Sequence, residues 1–108
     1  MKIFRTISEL TSFLDDYKSK NLDHKIGFVP TMGALHAGHI SLIKQAKFDS
    51  NLVVCSIFVN PTQFNNADDL EIYPRTEKAD INLLQTNNCD VVFIPSVSDI
   101  YPKNRSEY

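Results

Sequence analysis

The sequence is short of the residues that mark several common architectures. Its 108 residues include three glycines, two cysteines and three histidines. With two glycines in its most loop-like stretch, it has neither GxGxxG nor GxxxxGK[ST]. A dinucleotide-binding fingerprint and a P-loop are therefore unsupported. Cys55 and Cys89 lie far apart in apolar segments without CxxC spacing, which reads as two reduced, buried thiols rather than a disulfide or metal pair. No apolar run approaches the ~20 residues that span a bilayer, and residues 1–5 hold no signal-peptide core. The expectation is a cytoplasmic protein without membrane association. Lysine and arginine are scattered and the net charge is −2, so no electrostatic footprint for nucleic acid is present.

What remains is ordinary globular material, with 43% hydrophobic and 22% charged residues in a chain of single-domain length. A domain of this size should bury roughly two-thirds of its unfolded surface, enough for a core without crosslinks. Thr6-Ile7-Ser8-Glu9 has the capping-box pattern, and Ile7, Leu10, Phe13, Leu14 and Tyr17 recur at helical spacing behind it. This predicts an amphipathic helix ending near Asn21. A short apolar run, Ile26 to Val29, reads as a strand stopped by Pro30, which lacks a ladder donor. A second helix is expected from about Gly38 to Phe48. Residues 52–59 are apolar without alternation, the mark of a strand covered on both faces. Thr62 to Tyr73 reads as a polar loop with a helical turn near Asp68–Ile72. Thr76 is placed to cap a third helix over 77–87, with Glu77 and Asp80 favourable at its positive end. Residues 90–94 form a further buried-type strand.

Strands alternating with helices predict an α/β fold with a parallel sheet and helices on both faces. Ligands in such folds bind beyond the carboxyl ends of the strands. The segments 30–39, 60–65 and 95–102 should converge there. The first is Pro30-Thr31-Met32-Gly33-Ala34-Leu35-His36-Ala37-Gly38-His39. Its glycines permit a tight turn, the helix-opening amides are expected to be open to an anion, and His36 and His39 add donors. Thr31, Asn60 and Gln63 offer uncharged polar groups; Met32 and Phe64 offer apolar walls. A nucleotide phosphate chain beside a small polar substrate suits this set. A structural turn with locally satisfied histidines is the plain alternative. A zinc site from His36 and His39 lacks an evident third ligand, and no nucleophile elbow starts a Ser/His/Asp triad. Asp68, Asp69 and Glu71 read as a solvated acidic loop, His24 as a solvated loop histidine, and Arg75 as structural.

The residues 30–39, together with Ser56-Ile57-Phe58-Val59-Asn60-Pro61-Thr62-Gln63-Phe64, Tyr73-Pro74-Arg75-Thr76 and Pro95 to Pro102, resemble the pantothenate synthetases (pantoate–β-alanine ligases). HxGH alone marks the wider nucleotidyltransferase superfamily; the longer strings are far more specific. The resemblance implies an N-terminal, nucleotide-binding, Rossmann-like domain over 1–108, without the C-terminal part of the family's chain. It implies a two-step reaction. Pantoate attacks the α-phosphate of ATP to give pantoyl adenylate and pyrophosphate, and β-alanine then displaces AMP to give pantothenate. Carried over by motif, Met32, Gly33, Ala34, Leu35, His36, Ala37, Gly38 and His39 line the ATP site. His39 is the catalytic acid with His36 beside it, and Gln63, with Thr31 and Asn60, takes the pantoate and β-alanine side. Mg²⁺-ATP as substrate and a homodimer follow from the family's habit. Thr62 stands where many relatives have methionine. The later lysine- and arginine-bearing segments of the family are missing from these 108 residues, so the isolated chain is expected to be inactive. The alternatives are a non-catalytic nucleotide-binding module and a different HxGH adenylyltransferase. Gln63 within VNPxQF argues against the latter.

Overall fold

A computed structural model of the chain describes residues 1–58 and 77–100. In order these form β1 (Lys2–Phe4), α1 (Ile7–Lys20), β2 (Ile26–Thr31), α2 (Ala37–Asp49), β3 (Leu52–Ile57), α3 (Glu77–Thr86), β4 (Val91–Phe93) and α4 (Val97–Ile100). The expected loop over 62–73, the Thr76 cap and the stretch 101–108 lie outside the described residues.

The four strands make one parallel sheet in the order β1-β4-β3-β2. The non-alternating run takes an inner place, as its pattern requires: β3 pairs with β2 on one side and β4 on the other, and five of its six residues are buried. Each face of the sheet has its own core. Val53, Cys55, Ile57 and Val92 pack with Ile43 of α2 and Leu84 of α3. Leu52, Val54 and Val91 pack with Leu14 of α1, flanked by Leu10, Phe13 and Tyr17. Helices therefore cover both faces, and burial of each such aliphatic side chain contributes about 1.5–3 kcal/mol.

Helix α1 begins where its cap signal lies. The Glu9 amide donates to Thr6 Oγ1 at 3.1 Å. The return arm differs from the usual box, since Glu9 Oε1 accepts the Thr6 hydroxyl at 3.1 Å and the Arg5 amide at 3.4 Å. Lys18 and Lys20 occupy its last turn, where cations oppose the helix dipole.

Two features differ from expectation. Strand β1 carries no usable pattern in three residues; it exists through pairing, Lys2 to Phe4 lying beside Val91 to Phe93. Pro30 does not stop β2, which runs on through Thr31 in register with Ile57. The Thr31 carbonyl accepts from the Phe58 amide at 3.0 Å, so Thr31 bonds toward β3 and its neighbour Pro30 points the other way. Among the described residues β2 ends the sheet, and a missing donor on that outer side breaks no ladder bond.

Candidate functional site

Because every strand among the described residues is parallel, the loop leaving β2 and the first turns of the described helices gather at the sheet's carboxyl rim. Three contacts tie that rim together. Arg5 pairs with Glu77 at 2.7 Å, the Ile7 amide donates to Asp99 at 3.0 Å, and Asp80 reaches the β2–α2 loop.

The loop begins at Thr31. Its hydroxyl donates to the Ser56 carbonyl at 2.9 Å and accepts from the Gly33 amide at 3.3 Å, which fastens the end of β2 to β3. With its only proton committed, Thr31 could meet a substrate as an acceptor only. The backbone then turns through two left-handed residues, Gly33 (φ 89°) and Ala34 (φ 51°). Glycine takes that conformation at no steric penalty, whereas alanine there is uncommon and has to be held.

His36 caps α2 and His39 answers it. The Gly38 amide donates to His36 Nδ1 at 3.0 Å, and the His36 amide donates to His39 Nδ1 at 3.1 Å. The ring centroids are 4.2 Å apart with planes tilted by 52°. A neutral imidazole that accepts at Nδ1 carries its proton on Nε2. Both rings are thus fixed in one tautomer, with the Nε2–H edge turned away from the backbone they cap. The glycine between them has a steric reason. A Cβ at Gly38 would lie 2.9 Å from His36 Cε1 and 3.1 Å from Nδ1. In His-x-Gly-His the first histidine caps, the glycine leaves room for its ring, and the second sits three residues on, where a box partner belongs.

Asp80, in the first turn of α3, was legible only as a helix-start acid. It is 3% exposed, the one buried charged side chain among the described residues. Its Oδ2 accepts the Ala34 amide at 3.0 Å and its Oδ1 the Leu35 amide at 2.9 Å. The overlooked signal is its place four residues before Leu84, on the buried stripe of α3.

The expectation of open amides at this loop is therefore corrected. The amides of Ala34, Leu35, His36 and Gly38 all have partners within the protein. Those four N–H groups are therefore committed within the protein. Met32 through His39 do come together as one turn, with Met32 half-buried and His36 exposed. Asn60 and Gln63 lie outside the described residues. His24 is exposed, with Nδ1 2.7 Å from the Tyr17 hydroxyl.

Both cysteines are free and buried. Burial, above all, pushes the Cys55 thiol up to about 12 and raises that of Cys89. Neither contributes a nucleophile. Among the described residues no group of three His, Cys, Asp or Glu side chains could hold a metal ion, and no helix is long and apolar enough to cross a membrane.

Known proteins match this chain along its length. The family described as Pantoate-beta-alanine ligase matches residues 2–107. A pantothenate synthetase from Cytophaga hutchinsonii is 52% identical over 97 residues, 90% of this chain and 34% of the relative. One from Fervidobacterium nodosum is 49% identical over 108 residues, 100% of this chain and 38% of the relative. Among solved structures, pantoate-beta-alanine ligase from Francisella tularensis, complexed with beta-gamma ATP and beta-alanine, superposes with a TM-score of 0.87. It is 50% identical over 95% of this chain and 38% of its own. The chain thus spans little more than a third of the length of these relatives. Its sequence, its parallel α/β fold and its His-x-Gly-His turn agree, and the chain belongs to the pantoate–β-alanine ligase family.

Proposed function

We propose that these 108 residues form the N-terminal nucleotide-binding domain of an enzyme that joins pantoate to β-alanine at the expense of ATP. The observation that carries this reading is the reciprocal His36–His39 cap, which presents two Nε2–H donors from a rigid helix start. In the first step a pantoate carboxylate oxygen bonds to the α-phosphorus and the bond to the pyrophosphate oxygen breaks. Negative charge builds on the non-bridging and leaving oxygens. Donors already aimed at that charge stabilise the transition state without reorganising. His39, half-buried beside His36, is assigned to the leaving-group side. In the second step the β-alanine amine adds to the acyl carbon, the bond to the phosphate oxygen breaks, and AMP leaves. Gln63 and Asn60 are assigned to pantoate and β-alanine on the family motif, and Thr31 serves as an acceptor beside them.

The protein in complex with beta-gamma ATP and beta-alanine is 50% identical to this chain over 95% of this chain's length, which supports the same two ligands here. Mg²⁺ would arrive with ATP as part of the substrate. The described residues offer it no cage, and both oxygens of the nearby Asp80 face amides, so no step is assigned to it. A cytoplasmic homodimer completes the reading on the family's habit.

The test is AMP release that depends on both pantoate and β-alanine, measured for this chain and for a version extended at its C-terminus to the relatives' length. Near-background turnover is expected from the first and robust turnover from the second. His39→Ala should lower the latter by ~10²–10³, as loss of one transition-state donor does. AMP formation that ignores pantoate would refute the ligase reading in favour of another adenylyl transfer.

A further inference from the structure

We propose that Asp80 is a positioning residue of the nucleotide site, a carboxylate clamp that sets the Gly33–Leu35 turn and, through it, the two imidazoles. The inference rests on the nucleotide-site reading above and adds a residue to it.

Three observations converge on the clamp. Asp80 is the one buried charged side chain among the described residues, so its burial calls for a use for the charge. Both of its oxygens accept backbone amides, Ala34 at 3.0 Å and Leu35 at 2.9 Å, a two-point grip that fixes the peptide plane between them. The gripped residues need holding. Ala34 is left-handed with a side chain, directly after left-handed Gly33, and such conformations persist where surroundings over-determine them. Adjacent amides that point at one anion in this way form an anion nest. Here the anion is supplied by the protein itself, from a helix more than forty residues on.

The consequence is mechanical. Leu35 is followed immediately by His36, whose ring is already fixed by Gly38 and whose amide holds His39. From Asp80 to His39 every link is a hydrogen bond or a covalent neighbour. The fit is tight, since a Cβ at Gly33 would lie 3.2 Å from Asp80 Oδ2. A carboxylate is needed at Asp80 because each donor requires an acceptor. An asparagine offers one oxygen and sets an NH₂ group against the second amide.

Two measurements test the clamp. Amide hydrogen exchange in the 108-residue chain should speed up at least tenfold at Ala34 or Leu35 in Asp80→Asn, with exchange in β3 unchanged. In the C-terminally extended protein the same variant should raise KM for ATP about tenfold, the scale expected of a charged hydrogen bond. KM for β-alanine, which enters after adenylation, should stay within twofold. Asp80→Glu keeps the charge on a longer arm, should give an intermediate KM, and serves if Asp80→Asn does not fold. A residue that merely stabilised α3 would lower the active fraction and leave both KM values alone; that result, or unchanged exchange at both amides, overturns the proposal. If the unsubstituted extended protein shows no pantoate-dependent turnover, the ligase reading fails. The exchange measurement then judges the clamp separately.

Discussion

Replacing Gly38 with alanine sets two effects against each other. Alanine is favoured over glycine inside a helix by about 0.8–1.0 kcal/mol, and somewhat less at an exposed first turn. Its Cβ would however lie 2.9 Å from His36 Cε1 and 3.1 Å from Nδ1, closer than a carbon tolerates. The α2 backbone is the stiffer partner, so the ring moves. Moving it breaks the 3.0 Å bond from the Gly38 amide and separates His36 from His39, now 4.2 Å away. Losing a cap costs about 0.5–2 kcal/mol, which the helix preference partly offsets. Net stability should therefore change by about 1 kcal/mol or less. The functional loss is larger, because His36 Nε2–H no longer points where the cap aimed it. A fall of ~10²-fold in pantoate-dependent AMP release is expected for the extended protein, the scale of one transition-state donor. Nitrogen-15 spectra of the imidazoles check the cause directly. The parent chain should show Nδ1 unprotonated in both rings, and Gly38→Ala should show mixed tautomers for His36. Turnover within twofold of the parent, with His36 still in a single tautomer, would refute the steric argument.

Three further outcomes follow from the same geometry. Leu84→Ala should cost about 2–5 kcal/mol in urea denaturation, because the side chain is fully buried between α3 and the sheet. With Cys55 pushed up to about 12 and Cys89 also raised, neither thiol should react with a disulfide reagent at pH 8 until the chain is unfolded; rapid labelling of the native chain would contradict that burial. The Arg5 guanidinium holds the Glu77 carboxyl below its ordinary value, chiefly through their hydrogen bond. Stability from this pair is therefore present above the ordinary carboxylate range and disappears as pH falls through the depressed native value. Both side chains are about half exposed, so Glu77→Gln should cost no more than ~1 kcal/mol at pH 7. The difference should vanish in acid, and a difference that grew as pH fell would reverse the sign argument.

Local patterns carried far in this chain. Thr6 with Glu9 and the apolar spacing behind them set α1 within a residue of where it lies, because capping and amphipathicity act over four to seven positions. The unbroken apolar run at 52–57 announced an inner strand, since only a strand buried on both faces can afford to drop alternation. The motif strings named the family, and the apolar setting of Cys55 and Cys89 favoured the two free, buried thiols that the structure holds.

Tertiary structure decided the rest, for reasons of distance. Strand β1 is three residues long, too short for periodicity, and exists because Val91 to Phe93 lie alongside it nearly ninety positions later. Pro30 could remain in β2 because its bare nitrogen faces away from β3, a fact of register and strand order. Asp80 looked like a helix-start acid until the fold brought α3 against the loop after β2 and buried its carboxylate on two amides. The histidines were visible at once as candidates. Their tautomers were not, because these depend on which amide meets which Nδ1. The sequence by itself determined the family this chain belongs to. Only the folded chain decided which loop amides are bonded within the protein, because a hydrogen bond between residues far apart in sequence leaves no periodic trace.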